Sequence, residues 1–274
     1  MITVRSEATA SGQDPESSFY KEVLQTLDTS GVPVLVGGAY ALAVYTGIER
    51  RTKDFDLFLR AGDYARATQV LEANGFVTEL KFPHWLGKAY AGSSCVDLIF
   101  NSGNGLTRVD DGWFEHAIDA EILGVPAKLV PVEEMIWSKA FVMERERYDG
   151  ADIAHLVRAC GDTLNWPRLL ARVGSNWRVL LCHLVLFGYI YPGERAHVPV
   201  SVMRELLDRL RDELGAPASS ALCRGTLVSR EQYLHDVHRE GFVDGRLPPS
   251  GTMSAEEIAV WTEGIAEDEN DARP

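Results

Sequence analysis

The fold is decided by residues 32–47, Val32-Pro-Val-Leu-Val-Gly-Gly-Ala-Tyr-Ala-Leu-Ala-Val-Tyr-Thr-Gly47. The apolar, β-branched run 32–36 predicts a short strand that ends at the pair Gly37-Gly38. The run 39–45 then follows helical spacing. The stretch predicts a strand, a tight turn and a helix. Without side chains, such a turn lets a phosphate approach backbone N–H groups at the positive helix end.

Two aspartates follow this unit in Arg51-Thr-Lys-Asp-Phe-Asp-Leu-Phe58. Asp54 and Asp56 alternate with apolar residues, so on a strand both carboxylates point to one face. Converging carboxylates are ligands that hard cations such as Mg²⁺ prefer. Taken alone, an Asp-x-Asp pair is more often a solvated strand face, and a Gly-Gly pair is more often a simple turn. Their succession along the chain predicts a nucleotide site.

A third carboxylate, Asp97, interrupts the apolar strand predicted over residues 95–100. A charge within a buried strand is costly unless it is paired or bound to metal. Asp97 is therefore either a metal ligand or a strand residue held by a cap or salt bridge. If its strand lies beside that of Asp54 and Asp56, the three carboxylates cluster, and two Mg²⁺ ions (or Mn²⁺) about 3.5 to 4 Å apart would fit there.

The combined pattern resembles the signature of the DNA polymerase β-like nucleotidyltransferase superfamily, and is most similar to its bacterial branch of AbiEii- and MenT-type toxins. The resemblance spans roughly residues 32–100. It implies that Gly37 and Gly38 begin a helix that cradles the triphosphate of an NTP. It also implies that Asp54 and Asp56 hold Mg²⁺, and that Asp97 completes the metal site or acts as the base.

The toxin branch also has a helical lysine followed by an arginine and an aspartate that contact the nucleotide. Lys139, Arg147 and Asp152 resemble this set and are candidate nucleotide-binding residues, as is Lys53 beside the aspartate pair. The alternatives are that Lys139 extends out of the core and that Arg147, Asp149 and Asp152 form a salt-bridge cluster.

Two domains are predicted, with a mixed-sheet α/β nucleotidyltransferase core over residues 17–131 and a helical domain over 132–266. Polar composition predicts disordered tails at 1–16 and 267–274. The near-continuous apolar run 179–191 predicts the buried central helix of the second domain. Helical spacing predicts helices over residues 132–146, 150–160, 167–173, 177–191 and 200–214.

The composition limits the classes of function. A net charge of −13 and a sequence pI near 5.0 oppose general coating of nucleic acid. Four scattered cysteines oppose a disulfide framework or zinc site. We expect a cytoplasmic protein with no membrane partner, because no secretory signal or membrane span is evident.

The expected reaction is transfer of NMP from an NTP to a hydroxyl, with release of pyrophosphate. The acceptor is open between a small molecule such as an aminoglycoside, a tRNA 3′ end and a protein hydroxyl. A tRNA needs a local basic surface, for which Arg168, Arg172 and Arg178 are the candidates, whereas the overall acidity favours a small acceptor. The alternative is a catalytically silent, nucleotide-binding or antitoxin-like module. P-loop and Rossmann motifs are missing after the first strand.

Overall fold

A computed structural model describes residues 15–50, 52, 54–92, 94–215 and 221–271. Residues 1–14 of the predicted tail 1–16 lie outside these ranges, as do Lys53 and residues 272–274. Residues 15 and 16 instead begin the first helix. The chain divides into two compact units, residues up to 103 with 108–131, and residues 104–107 with 132 onward.

The first unit is a mixed seven-stranded sheet with helices. The strands run in the order β3-β4-β5-β2-β1-β7-β6. The pairs β2–β5 and β1–β7 are parallel, and the other neighbours are antiparallel. Its elements are α1 (Pro15–Thr29), β1 (Leu35–Val36), α2 (Gly38–Thr46), β2 (Phe55–Phe58), α3 (Tyr64–Ala73), β3 (Val77–Phe82), β4 (Leu86–Ala91), β5 (Ser94–Ile99), α4 (Asp111–Glu115), β6 (Ile118–Ile122) and β7 (Val125–Leu129).

The centre of this sheet has one buried face and one open face. Phe55, Leu57, Val96 and Leu98 are fully buried, whereas the alternating polar residues of β2 and β5 are only half-buried. On the buried face, the ring of Tyr20 from α1 stacks on Phe55 with a centroid distance of 5.0 Å. The predicted alternation along these strands is confirmed, and the polar residues are left on the open face.

The strand β4 was not predicted. Its alternate residues Gly87, Ala89 and Ala91 are small, so they give little hydrophobic signal. Gly87 is required here because a Cβ would overlap the ring of Tyr64 from α3. The strand thus packs closely through the absence of side-chain volume, which hydrophobic periodicity does not detect.

The second unit is mostly helical, with one short pair of parallel strands. Its elements are α5 (Val132–Ala140), α6 (Gly150–Cys160), α7 (Trp166–Val173), α8 (Trp177–Ile190), α9 (Val200–Leu214), β8 (Leu222–Cys223), α10 (Leu234–Arg239), β9 (Val243–Asp244) and α11 (Ala255–Asp271). The predicted helices over 150–160 and 200–214 have the predicted bounds.

The helix predicted over residues 132–146 ends at Ala140. Beyond it, the backbone of Met143 pairs with Tyr148 and its N–H donates to the carbonyl of Val228. The side chain of Glu144 accepts hydrogen bonds from the hydroxyl of Ser229. These long-range partners replace the helical hydrogen bonds, so tertiary context overrides helix propensity.

The prediction that residues 179–191 form the buried central helix of this unit is confirmed along one stripe of the helix and wrong along the opposite stripe. Leu180, Leu184 and Phe187 are buried, but Val185 is 57% exposed and Tyr189 83% exposed. One stripe of α8 therefore faces the core and the opposite stripe carries apolar side chains on the surface.

One run, Trp166–Ile190, is long and apolar enough to cross a membrane by length and composition alone. In the structure a 3-10 turn, Gly174–Asn176, divides it into α7 and α8, and 39% of the most apolar window is buried. Core helices pass the same test, so this run is weak evidence for a membrane span.

The last helix continues through residues 267–271, where the composition predicts an acidic tail. Its start has reciprocal capping, since the Ser254 N–H donates to Glu257 Oε2 and the Glu257 N–H donates to Ser254 Oγ. Once a helix is started, each added residue gains a backbone hydrogen bond, which extends α11 beyond the predicted end.

A buried ion pair supports the loop after β9. Arg246 is 0% exposed, and its Nη2 donates to Asp244 Oδ2 at 2.7 Å. Thr226 Oγ1 also donates to Asp244, at 2.8 Å. Burial raises the pKa of Asp244, but the hydrogen bonds from Arg246 and Thr226 outweigh burial and hold that pKa below its usual range.

We expect Asp244→Asn to lower the free energy of unfolding by about 3 kcal/mol, because it leaves a buried guanidinium without its counter-charge. Asp119→Asn is the matched control, since Asp119 pairs with Lys128 at 2.9 Å on the surface and such pairs contribute at most about 1 kcal/mol. Urea unfolding of both variants and the wild type is the measurement. Equal losses in the two variants would contradict the expectation.

The same pair predicts a pH dependence. A carboxyl whose folded pKa is depressed contributes stability above its unfolded pKa of about 3.9, and this contribution is lost as the pH falls toward the folded pKa. The stability difference between wild type and Asp244→Asn should therefore shrink below about pH 4. Repeating the urea titration at pH 7 and at pH 3.5 checks this.

Candidate active site

The glycine pair brings the start of α2 against a carboxylate of β2. Gly38 has φ +55°, and a Cβ on it would overlap Asp56 Oδ2. The N–H of Gly37 donates to the backbone oxygen of Asp56 at 3.0 Å. The first N–H groups of a helix have no intrahelical partner and carry partial positive charge, which favours the carboxylate there. The glycine turn thus positions Asp56 at the helix terminus where a phosphate was predicted to bind.

Gly37 also lies close to β2, against the side chain of Phe58. A Cβ on Gly37 would overlap the ring of Phe58, which itself stacks on Trp113 with a centroid distance of 5.4 Å. Because residue 37 has no side chain, the turn packs directly against the Phe58 ring of β2. The close approach of the α2 start to β2 therefore depends on both glycines.

Asp56 and Asp97 are direct neighbours across the sheet. They are paired in the parallel register of β2 and β5, so their side chains share the open face. Asp54 directly precedes β2, and its charge acts on Asp97, whose pKa it raises. The structure thus places Asp56 and Asp97 side by side on adjacent strands, with Asp54 at the start of the same strand segment.

Asp97 has a partner that the sequence analysis did not identify. Lys88 of β4 is paired with Asp97 in the antiparallel register of β4 and β5, and its Nζ lies 2.6 Å from Asp97 Oδ1. Burial lowers the pKa of Lys88, but Asp97 outweighs burial and raises it. Burial raises the pKa of Asp97, Lys88 opposes this rise, and Asp54 adds to it. The salt-bridge alternative for Asp97 is therefore realised.

A thiol and a phenol complete the neighbourhood. The Cys95 thiol lies 3.7 Å from the same Asp97 oxygen, and burial raises its pKa to about 11, so it is neutral at physiological pH. Tyr90 Oη donates to Glu79 Oε2 at 2.9 Å, and burial raises the pKa of Tyr90 to about 12. Neither group is an anionic ligand in this arrangement.

The donor set fits Mg²⁺ by its chemistry, because Asp56 and Asp97 supply hard carboxylate oxygens on adjacent strands and Asp54 supplies another at the start of β2. Within the described ranges, no three His, Cys, Asp or Glu side chains converge closely enough to hold a metal ion. Mg²⁺ is commonly bound by one or two carboxylates together with substrate phosphates. The residues therefore fit a cation shared with a nucleotide better than one enclosed by protein.

The predicted nucleotide-binding residues of the second half form an ion cluster within their own unit. Lys139 Nζ lies 3.0 Å from Asp149 Oδ2 and 2.8 Å from Asp152 Oδ2. Burial raises the pKa of Asp149, but the hydrogen bond from Arg147 and the charge of Lys139 outweigh burial and lower it. The predicted salt-bridge alternative is thus present, and a nucleotide contact by Lys139, Arg147 or Asp152 stays a prediction.

The arginines suggested as a basic surface are already paired. Arg168 binds Glu133 at 3.0 Å, and both Arg168 and Arg172 bind the fully buried Glu134. Arg178 pairs with Glu213. Because each guanidinium faces a carboxylate, these three residues do not provide the unneutralised charge that tRNA binding needs.

Lys88 is the main site residue missed from the sequence, because β4 itself was missed. The alternation of Lys88 and Tyr90 with Gly87 and Ala89 was the available signal. This alternation could have indicated a strand with a lysine and a tyrosine on one face and only small residues on the other.

A mixed sheet with paired aspartates, beside a helix that begins at a glycine pair, is the arrangement that the sequence predicts for a nucleotidyltransferase. The profile of a family described as uncharacterised nucleotidyltransferases matches residues 16–185, and the chain belongs to this family. The protein is therefore a transferase, and the predicted nucleotidyltransferase class and mixed-sheet fold are confirmed. Its assignment to the branch of AbiEii- and MenT-type toxins stays a prediction.

Several solved structures resemble the chain at low identity. The solution structure of the antibiotic-resistance factor ANT(2'')-Ia is 18% identical with a TM-score of 0.43, over 61% of this chain and 95% of that one. The lincomycin-bound lincosamide antibiotic adenylyltransferase LnuA is 16% identical with a TM-score of 0.38, over 53% and 98%. JHP933 from Helicobacter pylori is 11% identical with a TM-score of 0.36, over 73% and 97%. No curated protein matches the chain.

Gly38→Ala tests the contact between α2 and Asp56. An alanine in the left-handed conformation costs roughly 1 to 2 kcal/mol. We expect Gly38→Ala to lower the free energy of unfolding by more than this, since its Cβ also displaces the carboxylate of Asp56. Gly47→Ala is the matched control, because Gly47 ends the same helix at φ +71° with open space around its Cβ. Thermal unfolding compares them. Equal losses would show that the Asp56 contact does not restrict position 38.

Proposed function

We propose that the protein transfers NMP from an NTP to a hydroxyl acceptor, with Mg²⁺ dependence and release of pyrophosphate. The observation that carries this proposal is the register of β2 and β5, which sets Asp56 beside Asp97 on an open face next to the start of α2. Membership of a nucleotidyltransferase family supports the reaction class.

Asp54 and Asp56 would hold the cation together with the triphosphate, since two carboxylates and substrate phosphates satisfy its preferred ligands. A bound divalent cation neutralises charge on the phosphates and steadies the leaving pyrophosphate. In this proposal, the N–H groups at the start of α2 would donate to phosphate oxygens beside Asp56.

Asp97 would act as the general base. Its carboxylate takes the proton of the acceptor hydroxyl while that oxygen attacks the α-phosphorus in line. The bond from the α-phosphorus to the bridging oxygen breaks, and the electron pair leaves with pyrophosphate. Burial and the nearby Asp54 raise the pKa of Asp97, which makes its carboxylate a better proton acceptor.

For the acceptor, we propose a small hydroxyl-bearing molecule. Arg168, Arg172 and Arg178 are held by glutamates, which removes the local basic surface suggested for tRNA. The acidic chain, with net charge −13, favours a neutral or cationic acceptor. A protein hydroxyl, and the toxin branch with its antitoxin partner, stay less supported predictions.

A catalytically silent nucleotide-binding module remains the second candidate, and one observation favours it. Asp97 is already neutralised by Lys88, as would be expected if a fixed ammonium had taken the place of a catalytic cation. Activity of the wild type separates this candidate from the enzyme.

We expect wild-type protein to release pyrophosphate with Mg²⁺ and at least one of the four NTPs in the presence of hydroxyl acceptors. Asp56→Ala should lower the rate by at least about 100-fold and Asp97→Asn by about 100- to 10,000-fold. EDTA should stop release, and added Mg²⁺ or Mn²⁺ should restore it. A coupled pyrophosphate assay is the measurement.

The control for this assay is Asp119→Asn, which removes an exposed carboxylate from the β6–β7 hairpin of the same sheet. It should keep the wild-type rate. Equal rates in wild type and Asp56→Ala would refute the proposed function. Nucleotide binding without any release in the wild type would support the silent module instead.

A further inference from the structure

A row of charged side chains crosses four strands of the sheet. Asp56 of β2 is paired with Asp97 of β5, Asp97 with Lys88 of β4, and Lys88 with Glu79 of β3. Residues directly opposite one another share a face, so the four side chains form one line on the open face. Lys88 is the cation in this row and stands between carboxylates on both sides.

The contact of Lys88 with Asp97 is specific to one oxygen. Lys88 Nζ lies 2.6 Å from Oδ1, and the Cys95 thiol lies 3.7 Å from the same Oδ1. Among the described residues, these are the side-chain hydrogen bonds of Asp97, and none of them involves Oδ2. The carboxylate is thus held from one side with its second oxygen left for another partner.

The burial of this pair is unlike that of a second cross-strand lysine–aspartate pair among the described residues of the sheet. Lys88 and Asp97 are 23% and 16% exposed, whereas Lys128 and Asp119 are 52% and 77% exposed. Holding a lysine side chain in a partly buried position costs conformational entropy and desolvation of its ammonium, unless the charge is paired there. The Lys128 pair follows the ordinary surface pattern, and the Lys88 pair does not.

We propose that Lys88 is a positioning residue for the transfer reaction, holding Oδ1 of Asp97 so that Oδ2 is the oxygen presented to the acceptor hydroxyl. This inference rests on the proposed function. The hydrogen bond fixes the rotation of the carboxylate, and correct orientation of a base accounts for a large part of its effect on rate. The ammonium also offsets repulsion among Asp54, Asp56 and Asp97 while no nucleotide is bound.

Three variants test the proposal in steady-state pyrophosphate release. Lys88→Met keeps an unbranched side chain as far as Cε and removes both charge and donor. We expect kcat to fall at least about tenfold with the KM for NTP within about twofold. Lys88→Arg retains a charged donor and should recover a substantial part of kcat. Lys128→Met, the matched pair at the other side of the sheet, should match wild type.

A second measurement is independent of activity. Mn²⁺ binding followed by electron paramagnetic resonance should be retained or tightened in Lys88→Met, because a positive charge near the carboxylates has been removed. Lys128→Met should leave Mn²⁺ affinity unchanged. Weaker Mn²⁺ binding together with a lower melting temperature in both Lys88 variants would assign Lys88 a purely structural role and overturn the proposal.

The kinetic outcomes are also decisive. Wild-type kcat in Lys88→Met would overturn the positioning role, and a higher kcat would show that Lys88 blocks the site. Failure of Lys88→Arg to recover activity while folded would contradict the role of a charged donor. If wild type itself releases no pyrophosphate, the proposed function fails and this inference fails with it. An active wild type with an equally active Lys88→Met refutes the inference alone.

Discussion

The parallel pairing of β2 with β5 is the interaction on which the site depends. It sets Asp56 opposite Asp97 on the open face, while Phe55 and Leu57 anchor β2 on the buried face. The period-2 alternation of a strand does both at once, because alternate residues go to opposite faces. A slip of one residue would exchange the two sets, burying carboxylates and exposing apolar side chains. The packing of the core therefore also enforces the register of the site.

Much of the fold could be predicted where the signal was local and strongly periodic. The helices Gly150–Cys160 and Val200–Leu214 have the predicted bounds. The strand, glycine turn and helix around Gly38 are also present, although the strand is limited to Leu35–Val36. Elements that depend on distant partners could not be predicted from the sequence. The helix starting at Val132 stops at Ala140 because the following backbone pairs elsewhere in its unit, which no local pattern indicates.

The candidate carboxylates were predictable because they interrupt local, periodic strand patterns, whereas the residues that surround them in the fold were not. Alternation placed Asp54 and Asp56 on one face, but which strands are neighbours depends on the whole sheet. Lys88 was missed because β4 packs through Gly87, whose lack of a side chain makes room for Tyr64. Sequence patterns therefore identified the acidic groups and not the cation that holds one of them, and this cation changes how Asp97 can act.

The order of strands also determines when the site can exist. The two paired aspartates are separated in the chain by α3, β3 and β4, which must be made before β5 can join β2. Contacts between such distant segments form late, since the loop that joins them must be closed first. During synthesis, Asp56 emerges after β1, which can already pair with β2, but before the strand that carries Asp97. A partly made chain therefore lacks the pairing of Asp56 with Asp97 until β5 has joined the sheet.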